Sequence, residues 1–191
     1  MSALSSCALG LRPARRRGRA AGSPVRASSG EEGVQLASAV ARLVRLGAFS
    51  SAKRAERAVA LCDELCLLSE RSLVKRLVTL RTYLPPGVDV KALLDSEPSV
   101  LCADGVPAVD ADSYHESRTR HNLDELAFLP QEVLAVLIVE DPLLLLWVSM
   151  QRQSDLRARW ESSSLALLSV EERKVESQHI RFEQYVRNFI C

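Results

Sequence analysis

Apolar residues recur at helical spacing along most of this 191-residue chain, and no segment alternates between apolar and polar positions as a β-strand does. Between residues 31 and 46 the apolar positions return every three or four residues, which predicts a helix that packs on one side. Gly47 suits the end of this helix, and Ser50 or Ser51 can cap the next one. The same spacing predicts a third helix from Glu70 to about Tyr83. The pattern therefore predicts an all-α fold.

An apolar, helix-sized run that ends in an acidic residue and a proline occurs twice, at 84–101 and at 128–145. Without any gap Pro98 aligns with Pro142, 44 positions later. In the first copy Asp89 can cap a short helix, and Pro98 suits the first position of another. The other aligned residues are Pro86 with Pro130, Val90 with Leu134, Leu93 and Leu94 with Leu137 and Ile138, and Glu97 with Asp141. A repeat of this length predicts stacked helical units, each too small to bury its own apolar face.

Two further segments complete the predicted architecture. Residues 103–118 are polar and contain Gly105 and Pro107, which predicts a loop. Ser169 and Glu172 form a capping-box pattern, which predicts that a long final helix begins there and continues to residue 190. The apolar stripe of this helix consists of Val175, His179, Phe182, Val186 and Phe189. The predicted fold is a short, solenoid-like helical-repeat array with a long C-terminal amphipathic helix.

The first thirty residues differ in composition from the rest of the chain. They contain six arginines and no Asp or Glu, and half of the others are Ser and Ala. This composition is typical of a disordered organelle transit peptide, and the alternative is a basic disordered tail. The segment at 25–28 is similar to a stromal processing site, so a chloroplast is favoured over a mitochondrion. We expect residues 31–191 to form a single all-helical domain.

The formal charge of +1 averages these two unlike pieces. Without residues 1–30, 19 basic and 24 acidic residues remain, which gives a net charge of −5. A protein that binds duplex DNA through its phosphates needs a basic surface. In this domain such a surface must therefore be a local patch.

No pattern of catalytic, cofactor-binding or metal-binding residues emerges, and we expect neither an enzyme nor a bound cofactor. His115 and His121 lie among acids in the predicted loop, where solvated side chains explain them better than a metal site. Cys62 and Cys66 are four residues apart on a predicted helix face, and they are interpreted as small buried hydrophobes. The apolar run at 133–150 is interrupted by Glu140, Asp141 and Pro142, so no membrane span is predicted.

The segment at 84–101 resembles the repeat of the mitochondrial transcription termination factor family: Leu-Pro, then Gly-Val-Asp-Val, a Leu-Leu pair, and Pro-Ser-Val-Leu. The second copy keeps Pro130, the apolar pair and Pro142, but not the Gly or Asp. The resemblance implies a helical solenoid in an organelle that binds nucleic acid by its backbone. The implied contacts are Lys75, Arg76 and Arg81 on the third helix, and Arg152, Arg157 and Arg159 after Trp147. The alternative for both clusters is a solvated helix face.

Two function hypotheses follow. The first is a non-catalytic, organellar helical-repeat protein that binds RNA or DNA. The second is a protein–protein adaptor or assembly factor whose partner docks on residues 169–190. The net acidity and the small number of repeats favour the adaptor, whereas the family resemblance favours nucleic acid.

Overall fold

The computed structural model describes residues 29–103, 106–107, 109–169 and 172. In this part of the chain all regular structure is helical, which confirms the predicted all-α class. The eight α-helices are α1 (Ser29–Arg45), α2 (Ala52–Leu61), α3 (Glu64–Leu67), α4 (Glu70–Tyr83), α5 (Val90–Ser96), α6 (Ala111–Glu125), α7 (Gln131–Glu140) and α8 (Met150–Ser162). Three short 3-10 helices follow α5, α7 and α8, at Pro98–Leu101, Pro142–Leu145 and Ser164–Leu167.

Side-chain caps fix where several of these helices begin. The hydroxyl of Ser51 accepts a hydrogen bond from the backbone N–H of Arg54 at the start of α2. The carboxylate of Asp89 accepts one of 2.8 Å from the backbone N–H of Lys91 at the start of α5. These bonds satisfy backbone donors that the first turn of a helix leaves unpaired. Both predicted caps are therefore confirmed, with Ser51 rather than Ser50 at α2.

The sequence repeat corresponds to a structural repeat. The first unit, residues 70–101, consists of α4, α5 and the 3-10 helix Pro98–Leu101. The second unit, residues 111–145, consists of α6, α7 and the 3-10 helix Pro142–Leu145 in the same order. The first helices of the two units, α4 and α6, pack against each other, and the two 3-10 helices are also in contact. The units therefore stack with their first helices side by side and their 3-10 helices in contact.

The core lies between these stacked elements and α1–α3. The aligned apolar pairs of the two units are all buried, with Leu93 at 2% exposure and Leu94, Leu137 and Ile138 at 0%. These side chains belong to one hydrophobic cluster that also includes Leu43 of α1. Each unit thus buries its apolar pair against its neighbours, as expected for repeats that cannot fold alone.

Two sequence predictions in this region are wrong. The segment predicted as a loop at 103–118 instead contains the start of α6, whose inward residues repeat at helical spacing but are mostly polar. Cys62 and Cys66 do not share a helix, because α2 ends at Leu61 and Cys66 belongs to α3. Both residues are thiols rather than half-cystines, and both pack partly buried against the core. Helix α8 has no counterpart among the predicted helices.

At the C-terminal end of the array, Ser169 and Glu172 form the predicted capping box. The N–H of Ser169 donates to the Glu172 carboxylate at 2.8 Å, and the N–H of Glu172 donates to the Ser169 hydroxyl at 3.3 Å. The rest of the predicted C-terminal helix lies outside the described residues, and so does the predicted leader. Within the described residues, every helix is too short or too polar to cross a lipid bilayer.

Candidate nucleic-acid interface

The predicted basic cluster on α4 is divided between surface and core. Lys75 and Arg81 are exposed, and neither forms an ion pair within the described part of the chain. Arg76 is only 2% exposed. It lies about 100° around the helix from the exposed Lys75, so its side chain faces the core. Arg76 therefore cannot contact a phosphate at the surface, and its prediction as a nucleic-acid contact is wrong.

Arg76 instead connects three elements around α4. Its guanidinium lies 2.7 Å from the carboxylate of Glu64 on α3 and 3.0 Å from that of Asp112 on α6. The Glu64 carboxylate also accepts hydrogen bonds from the backbone N–H of Ala103 at 2.9 and 3.1 Å. A buried charge with this many partners is a structural group, because losing any one partner leaves another charge unpaired.

Three consecutive carbonyl oxygens at the end of the first 3-10 helix each accept a hydrogen bond from a basic side chain. The donors come from both units, since Arg76 belongs to α4 and the other two belong to α6. We call Arg76, His115 and Arg118 the capping network. Its bonds are His115 Nε2 to Val100 O at 3.0 Å, Arg76 Nη1 to Leu101 O at 2.5 Å, and Arg118 Nη2 to Cys102 O at 2.8 Å.

His115 is fully buried and not solvated, so its interpretation as a loop residue is wrong. Burial, reinforced by the charge of Arg118, lowers the pKa of His115 to about 4. The ring is therefore neutral at pH 7, and its bond to Val100 requires the proton on Nε2. Its Nδ1 atom is buried and has no hydrogen-bond partner within the described residues. His115 holds the two units together through its neutral form.

The predicted cluster on α8 is also divided. Arg152 is paired with Asp141, which follows α7, at 3.2 Å. The guanidinium of Arg157 lies over the ring of Phe128, 4.5 Å from its centroid. Arg159 is exposed and forms no ion pair with a described residue. Thus Arg152 and Arg157 tie α8 to the second unit, and Arg159 is the basic side chain of this cluster that projects without such a contact.

The partner-helix face predicted at Val175, His179, Phe182, Val186 and Phe189 lies outside the described residues. The structure therefore leaves that prediction as it stands. No group of three His, Cys, Asp or Glu side chains in the described part of the chain could hold a metal ion.

Charge is distributed very unevenly along the array. Residues 42–91, which we call the basic half, contain ten Lys and Arg residues and five Asp and Glu residues. Residues 95–145, the acidic half, contain two Lys and Arg residues and eleven Asp and Glu residues. The net charge of the domain conceals this separation. A basic surface is therefore available on one half of the array.

A polar cleft between α2 and α5 lies where the basic half meets the acidic half, and sequence reasoning did not identify it. We define this α2–α5 cleft by Arg54, Arg57, Asp95 and Ser96, with a volume of about 170 Å³. Both arginines are exposed and neither forms an ion pair with a described residue. The sequence does show that these two arginines are three residues apart on one helix and so share a face. It does not show the opposing wall, which lies about forty residues further along the chain.

Comparison with known proteins adds no relative. No protein-family model matches the chain, and no curated protein or solved structure matches it.

Proposed function

We propose that this chain is a non-catalytic, organellar helical-repeat protein that binds RNA or DNA through phosphate groups, with a chloroplast as the expected location. The observation that carries the proposal is the concentration of basic residues in residues 42–91. A nucleic-acid backbone responds to the local potential, so one basic half suffices even where the whole domain is acidic. The repeated order of two helices and a 3-10 helix agrees with what the resemblance to the termination-factor family implies.

The exposed basic side chains supply the contacts in this proposal. Lys75 and Arg81 on α4 and Arg159 on α8 are exposed and unpaired within the described residues. Arg152 and Arg157 would have to exchange a contact in the protein for one with phosphate. We therefore expect the first three to contribute more to binding than the last two.

The test is binding of the full chain to labelled RNA, single-stranded DNA and duplex DNA at about 50 and about 200 mM salt. A matched variant carries glutamine in place of the six arginines between residues 12 and 26, so that the basic leader cannot be the source of binding. We expect this variant to bind at low salt and to weaken steeply at the higher concentration. Absence of binding by the leader variant at 50 mM salt would contradict the proposal.

The second candidate is a protein–protein adaptor, and exposed apolar side chains at the end of the second unit and just after it favour it. Leu143 is 51% exposed, Trp147 is 73% exposed and Met150 is 88% exposed. Large apolar residues close together on a surface are typical of protein contacts. In this function Trp147→Ser or Phe182→Asp removes a co-purifying chloroplast protein that stays bound at salt high enough to release nucleic acid. Retention of that protein by both variants would eliminate these surfaces.

A further inference from the structure

We infer that the α2–α5 cleft binds one phosphate group of a nucleic-acid strand, an inference that rests on the proposed function and locates a contact for it. None of the six basic residues suggested by the sequence lines this cleft. The cleft therefore adds a binding site that is formed by α2 and α5 and not by α4 or α8.

The charges around the cleft favour an anion. Arg54 and Arg57 are one helical turn apart on α2 and present two guanidinium groups to the same cavity. The single carboxylate of the cleft, Asp95, is already engaged. It accepts hydrogen bonds from the backbone N–H of Ser50, at 3.3 Å, and from the Ser50 hydroxyl. The two cations therefore outnumber a carboxylate whose oxygens point to another partner.

A third cation lies along the same wall. Lys91 is one turn before Asp95 on α5, and its ammonium group lies close to Gly47 in the turn between α1 and α2. It forms no ion pair with a described residue. Lys91 thus adds positive charge beside the cleft, on the side of the turn that precedes α2.

The chemistry and the size of the cleft together indicate phosphate. Guanidinium groups match the tetrahedral oxygens of phosphate with paired hydrogen bonds, whereas an apolar ligand would leave them unpaired. At about 170 Å³ the cleft is smaller than the 300–1,000 Å³ or so of a site for a whole small molecule. Its occupant is therefore one group of a larger ligand whose remaining parts stay outside.

A phosphate of this kind has two sources in a nucleic acid: an internal phosphodiester or a terminal phosphomonoester. Oligonucleotides with a 5′-phosphate and with a 5′-hydroxyl separate them. Equal affinity for the two, with both bound more weakly by the cleft variant, places an internal phosphodiester in the cleft. A preference for the 5′-phosphate that disappears in the cleft variant places the strand terminus there.

The test compares two double variants of the full chain that lose the same charge. Arg54→Gln with Arg57→Gln removes the cleft cations, and Arg71→Gln with Arg120→Gln removes two exposed arginines elsewhere. We expect the cleft variant to bind oligonucleotide about tenfold more weakly than the control variant and to show a smaller salt dependence. Circular dichroism melting confirms that both variants remain folded.

A second measurement does not depend on nucleic acid. Pyrophosphate is titrated into the labelled protein while the guanidinium resonances of Arg54 and Arg57 are followed by nuclear magnetic resonance. We expect saturable shifts at these two arginines that are absent in the cleft variant. Equal weakening of oligonucleotide binding in both double variants, or pyrophosphate shifts spread over all exposed arginines, would overturn the inference. If the wild type binds pyrophosphate in the cleft but no nucleic acid, the proposed function fails while the phosphate site stands.

Discussion

The side-chain amide of Asn122 donates a hydrogen bond of 2.9 Å to the carbonyl oxygen of Leu145. Arg76 makes the corresponding bond in the first unit, to Leu101, and Leu101 and Leu145 are 44 positions apart in the repeat. In both units a buried polar side chain of the first helix thus caps the last residue of the 3-10 helix. This shared bond explains why two sequences that differ so much along α4 and α6 adopt the same order of elements.

Arg76 should be essential for stability. Arg76→Met leaves the carboxylates of Glu64 and Asp112 without their cation and the Leu101 carbonyl without its donor. We expect a loss of about 3 kcal/mol in the free energy of unfolding, measured by urea denaturation. The control is Lys75→Met, one residue earlier but exposed, which should change this free energy by less than about 0.5 kcal/mol. Similar effects from the two substitutions would refute the structural role of Arg76.

His115 should make the protein sensitive to mild acid. Its pKa is lowered to about 4 in the folded state from 6.5, so the unfolded chain binds the proton more readily. The contribution of neutral His115 to the free energy of unfolding is complete above pH 6.5 and is lost as the pH falls toward 4. We expect the free energy of unfolding to decrease by about 2 kcal/mol between pH 7 and pH 5 because of this residue alone.

The charged groups that act on His115 are Arg118, Arg76 and Asp112. The check is denaturant unfolding across this pH range for the wild type, for His115→Gln and for His121→Gln. His121 is exposed, so its replacement should leave the pH dependence intact. A pH dependence that is unchanged in His115→Gln would show that another group is responsible.

Equivalent core positions in the two units should have equivalent effects. Leu94 and Ile138 align in the repeat and are both fully buried. Leu94→Ala and Ile138→Ala should each reduce the free energy of unfolding by about 2–5 kcal/mol. Exposed Val74→Ala, by contrast, should have a much smaller effect. A large effect in one unit with almost none in the other would show that the units do not share one core.

Two glycines should respond in opposite directions to the same substitution. Gly87 has a φ of +95° in the turn before α5, and a Cβ there would meet no atom within 4 Å. Gly87→Ala should therefore destabilise the protein by about 1 kcal/mol through backbone strain alone. Gly33 lies inside α1 with equally open space, so Gly33→Ala should stabilise by up to about 1 kcal/mol. Thermal melting of the two variants checks both signs.

Helices with an apolar stripe could be predicted from the sequence, and those with a polar one could not. Predicted helix α4 has the same bounds in the structure, because Leu73, Leu77 and Leu80 mark its inner face. Helix α6 turns His115 and Thr119 inward, where hydrophobic periodicity gives no signal. The His115 ring is buried because the Val100 carbonyl of the 3-10 helix needs a donor, a demand that arises only once the units are stacked.

The candidate nucleic-acid contacts likewise divide into those that the sequence could indicate and those that it could not. The position of Arg76, three residues after Leu73 and four before Leu80, already placed it on the apolar stripe, so its burial had a signal in the sequence. No such signal existed for the α2–α5 cleft. Arg54 and Asp95 become neighbours only through the packing of α2 on α5, which depends on contacts between distant segments.

The donors of the capping network come from both units, which restricts how the array could be altered. Helix α6 of the second unit supplies His115 and Arg118, which donate to the carbonyls of Val100 in the first unit and of Cys102 directly after it. The two units are therefore not interchangeable modules, because exchanging their order, or inserting a copy of the first unit between them, would leave those carbonyls without donors. An engineered array built from this chain could be lengthened after the second unit, beyond Leu145, but not divided between the first unit and α6.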